Sequence, residues 1–125
     1  MKHILAIVSL LAIHGSVLAK NVIITKSSNH KTVVLNHDDT LQVALKGNPS
    51  TGFSWDVVAN NDSVLTLSEV SFEPFRSGVI GSGGTYSFTF RPMKSGKSHL
   101  KMTYERPWQK EKPPHSTFKV LVKIR

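Results

Sequence analysis

The chain has no cysteine among its 125 residues. That absence removes a thiol nucleophile, a zinc–thiolate site, a redox pair and any disulfide from consideration. Acidic residues are scarce, 8 Asp and Glu against 16 Lys and Arg, and carboxylates this sparse do not suggest the paired acids of a glycosidase. Past the first twenty residues the histidines are His30, His37, His99 and His115, scattered and without a second ligand at metal-binding spacing. Gly-x-Ser-x-Gly, His-Glu-x-x-His and a phosphate-cradling glycine loop are all missing. Neither an enzyme, a metal site nor a cofactor is therefore expected. After residue 20 no segment carries ten residues of helical spacing, so the fold must be built from strands.

What is present begins with a leader. Met1-Lys2-His3 is a short basic start, residues 4–13 are apolar, and Val17-Leu18-Ala19 fits the small-residue rule for signal peptidase. His14-Gly15-Ser16 interrupts the run well short of the roughly 20 apolar residues that a spanning helix needs. We read residues 1–19 as a signal peptide cleaved after Ala19. The expected destination is the secretory pathway, secreted or endolysosomal and vesicular, with no stable membrane insertion after cleavage. Residues 20–125 have the length of one domain, which without disulfides is held by packing alone. The net charge of +8 favours acidic partners. Nucleic acid is not expected, because the basic residues are dispersed along strands and never form a run.

The apolar pattern has a period of two. Phe53, Trp55 and Val57 alternate with Ser54 and Asp56; Tyr86, Phe88 and Phe90 alternate with Ser87 and Thr89. Leu100, Met102 and Tyr104 repeat the pattern, and Phe118, Val120, Val122 and Ile124 repeat it against Lys119 and Lys123. Further strands are read at 22–25, 32–35, 41–45 and 64–70. Turn formers separate them, as at Asn36-His37-Asp38-Asp39, Asn60-Asn61-Asp62 and Lys94-Ser95-Gly96-Lys97. About eight short strands at this spacing predict an all-β, antiparallel β-sandwich, with Trp55 in its core.

Three inter-strand segments combine turn chemistry with exposed-looking side chains. In Asn48-Pro49-Ser50-Thr51-Gly52-Phe53, Pro49 fixes its own φ and pushes Asn48 to extended backbone, while Gly52 permits a sharp reversal. The hydroxyls of Ser50 and Thr51 then sit at the tip of a stiff turn, which on its own also describes an ordinary hairpin. In Gly81-Ser82-Gly83-Gly84 the missing side chains leave main-chain groups open to a partner, or simply make a flexible connection. Arg106-Pro107-Trp108 joins a stiff backbone to two residue types enriched at binding hot spots; the alternative is a Trp108 packed back onto the sheet. A sandwich that groups alternate loops at one end brings all three together.

In this order and spacing the segments resemble the chagasin-like family of cysteine-protease inhibitors. The family pattern Asn-Pro-Thr-Thr-Gly-Tyr/Phe is matched by Asn48 to Phe53 with Ser50 as the departure, Gly-x-Gly-Gly by Gly81 to Gly84, and Arg-Pro-Trp/Phe by Arg106 to Trp108. Trp55 and Tyr104 also look like family positions. The resemblance covers about residues 21–125. It implies an immunoglobulin-like sandwich, most simply a monomer, whose three loops form a wedge in the active-site cleft of papain-like cysteine proteases. It further implies that the first loop approaches the catalytic pair while the other two grip the flanks. Residues 72–79, bordering the glycines, are where preference among proteases is expected to be written. The competing reading is an adhesion or carbohydrate-binding module in which Trp108 stacks on a sugar. Asn61-Asp62-Ser63 is a glycosylation sequon.

Overall fold

The computed structural model describes residues 18–125, so the leader, apart from its last two residues, lies outside the described part. Eight strands form: β1 (Asn21–Ile24), β2 (Lys31–Leu35), β3 (Thr40–Gly47), β4 (Ser54–Ala59), β5 (Leu65–Pro74), β6 (Gly84–Pro92), β7 (Gly96–Glu105) and β8 (Ser116–Ile124). They make two four-stranded sheets, ordered β1-β3-β6-β5 and β2-β8-β7-β4. Each strand expected from the period-two pattern is there, most of them longer than the apolar residues alone would give.

Strand direction alternates along the chain, which fixes both the pairings and the position of the loops. Neighbours of opposite parity, β3 with β6, β5 with β6, β4 with β7 and β7 with β8, run antiparallel as expected. One edge pair of each sheet joins strands of equal parity, β1 with β3 and β2 with β8, and these are parallel. The chain has reversed twice between β1 and β3, visiting the other sheet in between, so the expected β-sandwich forms with four antiparallel pairings and a parallel strand added at one edge of each sheet. By the same alternation the β3–β4, β5–β6 and β7–β8 connections all leave from one end of the sandwich.

The core lies between the sheets and is filled by the inward residues of the alternating runs. Leu41, Val43 and Leu45 of β3 sit opposite Phe90, Phe88 and Tyr86 of β6. Leu100 and Met102 of β7 sit opposite Val120 and Phe118 of β8. Trp55 is 8% exposed and donates its indole N–H to the Lys46 carbonyl at 3.0 Å, so the expected core role holds and its one polar group is satisfied. A bulge between Leu67 and Glu69 shifts the phase of β5. Beyond it the inward positions fall on even numbers, which sets Phe72 across from Tyr86 with ring centroids 5.0 Å apart. Simple alternation carried on from Leu65 and Leu67 would have turned Phe72 outward.

A candidate binding wedge of three loops

The first loop is organised by Asn48. Its backbone is extended (φ −139°, ψ 95°), as a residue before proline prefers, and Pro49–Thr51 make one 3₁₀ turn. Its Oδ1 accepts from the Ser50 amide at 3.2 Å and from the Ser50 hydroxyl at 2.6 Å, while the Thr51 hydroxyl donates to the Asn48 carbonyl at 2.7 Å. Both hydroxyls at the tip therefore donate within the loop and stiffen it, leaving only their lone pairs outward. Gly52 closes the turn at φ 86°, a left-handed conformation that a residue with Cβ resists.

The same asparagine ties the first loop to the second and to the sheet. Its Nδ2 donates to the Gly81 carbonyl at 3.0 Å, and its backbone N–H donates to the Tyr104 hydroxyl at 2.8 Å. In the second loop, the Phe75 amide donates to the Gly83 carbonyl at 3.0 Å. Gly84 is not part of an exposed strip: it is buried in β6, and a Cβ there would run into the Glu73 carbonyl and the Phe72 ring. The open main chain is thus confined to Gly81, Ser82 and Gly83, with two of its carbonyls already engaged.

The third loop leans on the first from the other side. Arg106 Nε donates to the Thr51 carbonyl at 3.0 Å, and its guanidinium lies 4.6 Å from the centroid of the Phe53 ring. Phe53 is stacked on Tyr104 at 5.2 Å, and Tyr104 packs on Trp55 at 5.1 Å. An aromatic column thus runs from the core to the base of the loops. His115 is exposed yet set 5.4 Å from the Phe53 ring. Burial pushes the Tyr86 phenol up from its usual range, with the Tyr104 phenol adding to the effect, so it stays a neutral donor near the Phe53 carbonyl.

Trp108 is 67% exposed, so it is not a core residue. Its indole edge lies over Gly52, where a Cβ would come within 2.5 Å of Cη2. All three sequence motifs are therefore brought to one end and fastened to each other: the first to the second through Asn48 and Gly81, the first to the third through Thr51, Gly52, Arg106 and Trp108. Sequence reasoning missed Ile80, which is 96% exposed beside the glycines. Together with Val79, Asn48, Pro49 and Ser50 it lines a shallow hollow of about 200 Å³ between the first two loops. An isoleucine placed between Gly78 and Gly81 was the available signal. Among the described residues no His, Asp and Glu side chains gather in a group able to hold a metal ion.

The sequence and the described fold have relatives. Residues 34–122 match the family model described as the chagasin family peptidase inhibitor I42. Amoebiasin-2 of Entamoeba histolytica is 32% identical over 104 residues, covering 82% of this chain and 85% of that protein. Chagasin of Trypanosoma cruzi is 30% identical over 105 residues, covering 80% and 94%. Among solved structures, the cysteine protease inhibitor EhICP2 from Entamoeba histolytica superposes with a TM-score of 0.79 at 29% identity, covering 88% of this chain and all of that one.

Proposed function

The chain belongs to the chagasin family of peptidase inhibitors, and from that premise we propose that it is a tight-binding, reversible inhibitor of papain-like cysteine proteases acting through the three-loop end. The observation that carries this reading is the mutual bracing of Asn48, Gly81, Thr51, Arg106 and Trp108 around an exposed, partly apolar edge. A braced edge that projects has the right form to enter another protein's cleft.

The mechanism follows from the bracing. Ordering flexible loops on binding costs affinity, and here the order is already present in the free protein. The Asn48 to Phe53 turn enters deepest and excludes substrate and water from the catalytic cysteine and histidine. Trp108 on one flank and Ile80 with Val79 on the other supply apolar anchors, while Gly81, Ser82 and Gly83 let main chain approach closely. Residues 72–79 border the cleft, so preference among proteases is assigned to them. Each of Asn48, Pro49, Ser50, Thr51, Gly52, Phe53, Gly81, Ser82, Gly83, Arg106, Pro107 and Trp108 belongs to the wedge; Gly84 shapes it from inside β6. The test is a titration of papain with the protein and a fluorogenic peptide substrate. Competitive inhibition near stoichiometric concentration is the expected outcome, and full activity at micromolar inhibitor refutes the proposal.

We further propose that the protein enters the secretory pathway after cleavage behind Ala19 and is then released or retained in endolysosomal vesicles. The support is the basic start, the apolar run and Val17-Leu18-Ala19. N-terminal sequencing of the natural protein should find Lys20 first, whereas a cytosolic form retaining Met1 contradicts it.

A further inference from the structure

We propose that the outer face of the β2-β8-β7-β4 sheet is a second binding surface, which takes a linear sulfated polysaccharide across its strands. The face carries like charges where sheets avoid them: Lys97 lies directly across from Lys123, and Lys101 directly across from Lys119. Opposed like charges on neighbouring strands are destabilising, so nothing in the fold's own stability accounts for two such pairs in succession. The four lysines mark a rectangle about 5 Å across the strands and about 14 Å along them. His99 and Leu121 form the pair between them. The carboxylates of this face, Asp56 and Glu105, sit toward the wedge end, across from Thr103 and Ser54.

The shape of the face selects among polyanions. A shallow trough of about 350 Å³ crosses it, walled by His30, His99, Lys101 and Lys119 and floored by Leu121. It touches all four strands, from Lys31 and Thr32 of β2 through β8 and β7 to Ala59 of β4. A concave, transverse trough with basic walls accommodates a narrow anionic chain carrying sulfates on both sides. A planar bilayer would meet the rims and leave the trough empty. Lys119 and Lys101 serve as the central sulfate contacts, with His30 at one end. The face lies along the side of the sandwich, whereas the wedge is at its end, so both surfaces are open at once.

The test is heparin binding by the full protein, measured by titration calorimetry at several salt concentrations, for wild type, Lys101→Gln/Lys119→Gln and Lys97→Gln/Lys123→Gln. A charge-matched control, Lys46→Gln/Arg91→Gln, removes two cations from the outer face of the other sheet. Lys101→Gln/Lys119→Gln should weaken binding by about tenfold or more near physiological salt, Lys97→Gln/Lys123→Gln by less, and each should lower the slope of log affinity against log salt by up to about 2, since each lysine contributes about one unit. The same variants should melt at slightly higher temperature, because a repulsive pair has been removed, and should inhibit papain like wild type. That last readout makes this proposal independent of the inhibitor reading in failure. Equal loss in the control variant means diffuse charge attraction and overturns the assignment. Stronger binding to phosphatidylserine vesicles or to a duplex DNA of equal charge than to heparin overturns it in favour of those ligands.

Discussion

At the scale of single residues, exposure decides which side chains serve binding and which serve the fold. Trp108 is two-thirds exposed, so Trp108→Ala should weaken inhibition by about 2 kcal/mol, a typical hot-spot loss, with little change in melting temperature. A core tryptophan would give the reverse, a stability loss of roughly 3–5 kcal/mol. Inhibition constant and thermal midpoint measured on one sample distinguish the two. Thr51 stands at the tip, its hydroxyl turned onto the Asn48 carbonyl and its own carbonyl held by Arg106. Thr51→Arg should impair inhibition of every papain-like enzyme tested, because the clash falls at their shared catalytic centre, whereas substitutions in residues 72–79 should reorder preference among them. Tyr104→Phe is the third case. It leaves the Asn48 N–H without its acceptor and should cost about 1 kcal/mol of stability while loosening the first loop, read as a lower melting temperature together with a weaker inhibition constant.

At the scale of elements, the sequence was legible wherever one face of a strand is buried and the other is wet. Tyr86, Phe88 and Phe90, and Phe118 through Ile124, announce β6 and β8 because their two faces differ so sharply. The bulge in β5 was not legible: no residue type between Leu67 and Glu69 signals it, yet it decides that Phe72 faces Tyr86. The parallel edge pairs were equally hidden, since pairing partners far apart in sequence leave no local mark. The motifs located the three loops, but their bracing depends on side-chain reach that spacing does not encode. Asn48 reads as a turn former and proves to be the hub of the wedge. Ile80 was overlooked because an apolar residue in a glycine-rich loop has no periodicity to mark it.

At the scale of the whole molecule, the segment leading into β1 is latched to the far end of the sandwich at Lys20. Lys20 donates its N–H to Asp39 Oδ1 at 3.1 Å, and the Thr40 N–H donates to the Lys20 carbonyl at 2.8 Å. The amide of Asn36 donates to the other carboxylate oxygen at 2.9 Å. That bond first, then the one from the Lys20 N–H and the positive charges of Lys20 and Arg125, hold the Asp39 carboxyl below its ordinary value near 3.8, against an opposing effect of burial. A depressed native pKa means stability that is fully present above that ordinary value and is lost as pH falls through the lower native one. The melting temperature should therefore drop on acidification below about pH 4, and less steeply in Asp39→Asn. Cleavage behind Ala19 would convert the Lys20 N–H into an ammonium beside this carboxylate, so the processed protein should melt higher at neutral pH than one retaining extra residues before Lys20.

In the proposed mechanism the first loop covers a protease's catalytic pair without being cut. The most direct measurement is the rate at which iodoacetamide alkylates the active-site cysteine of papain as the protein is added, followed by mass spectrometry of both chains. Alkylation should fall in proportion to inhibitor and stop near equivalence, with residues 48–53 intact after long incubation. Undiminished alkylation of the inhibited enzyme, or stoichiometric cleavage within residues 48–53, would contradict it.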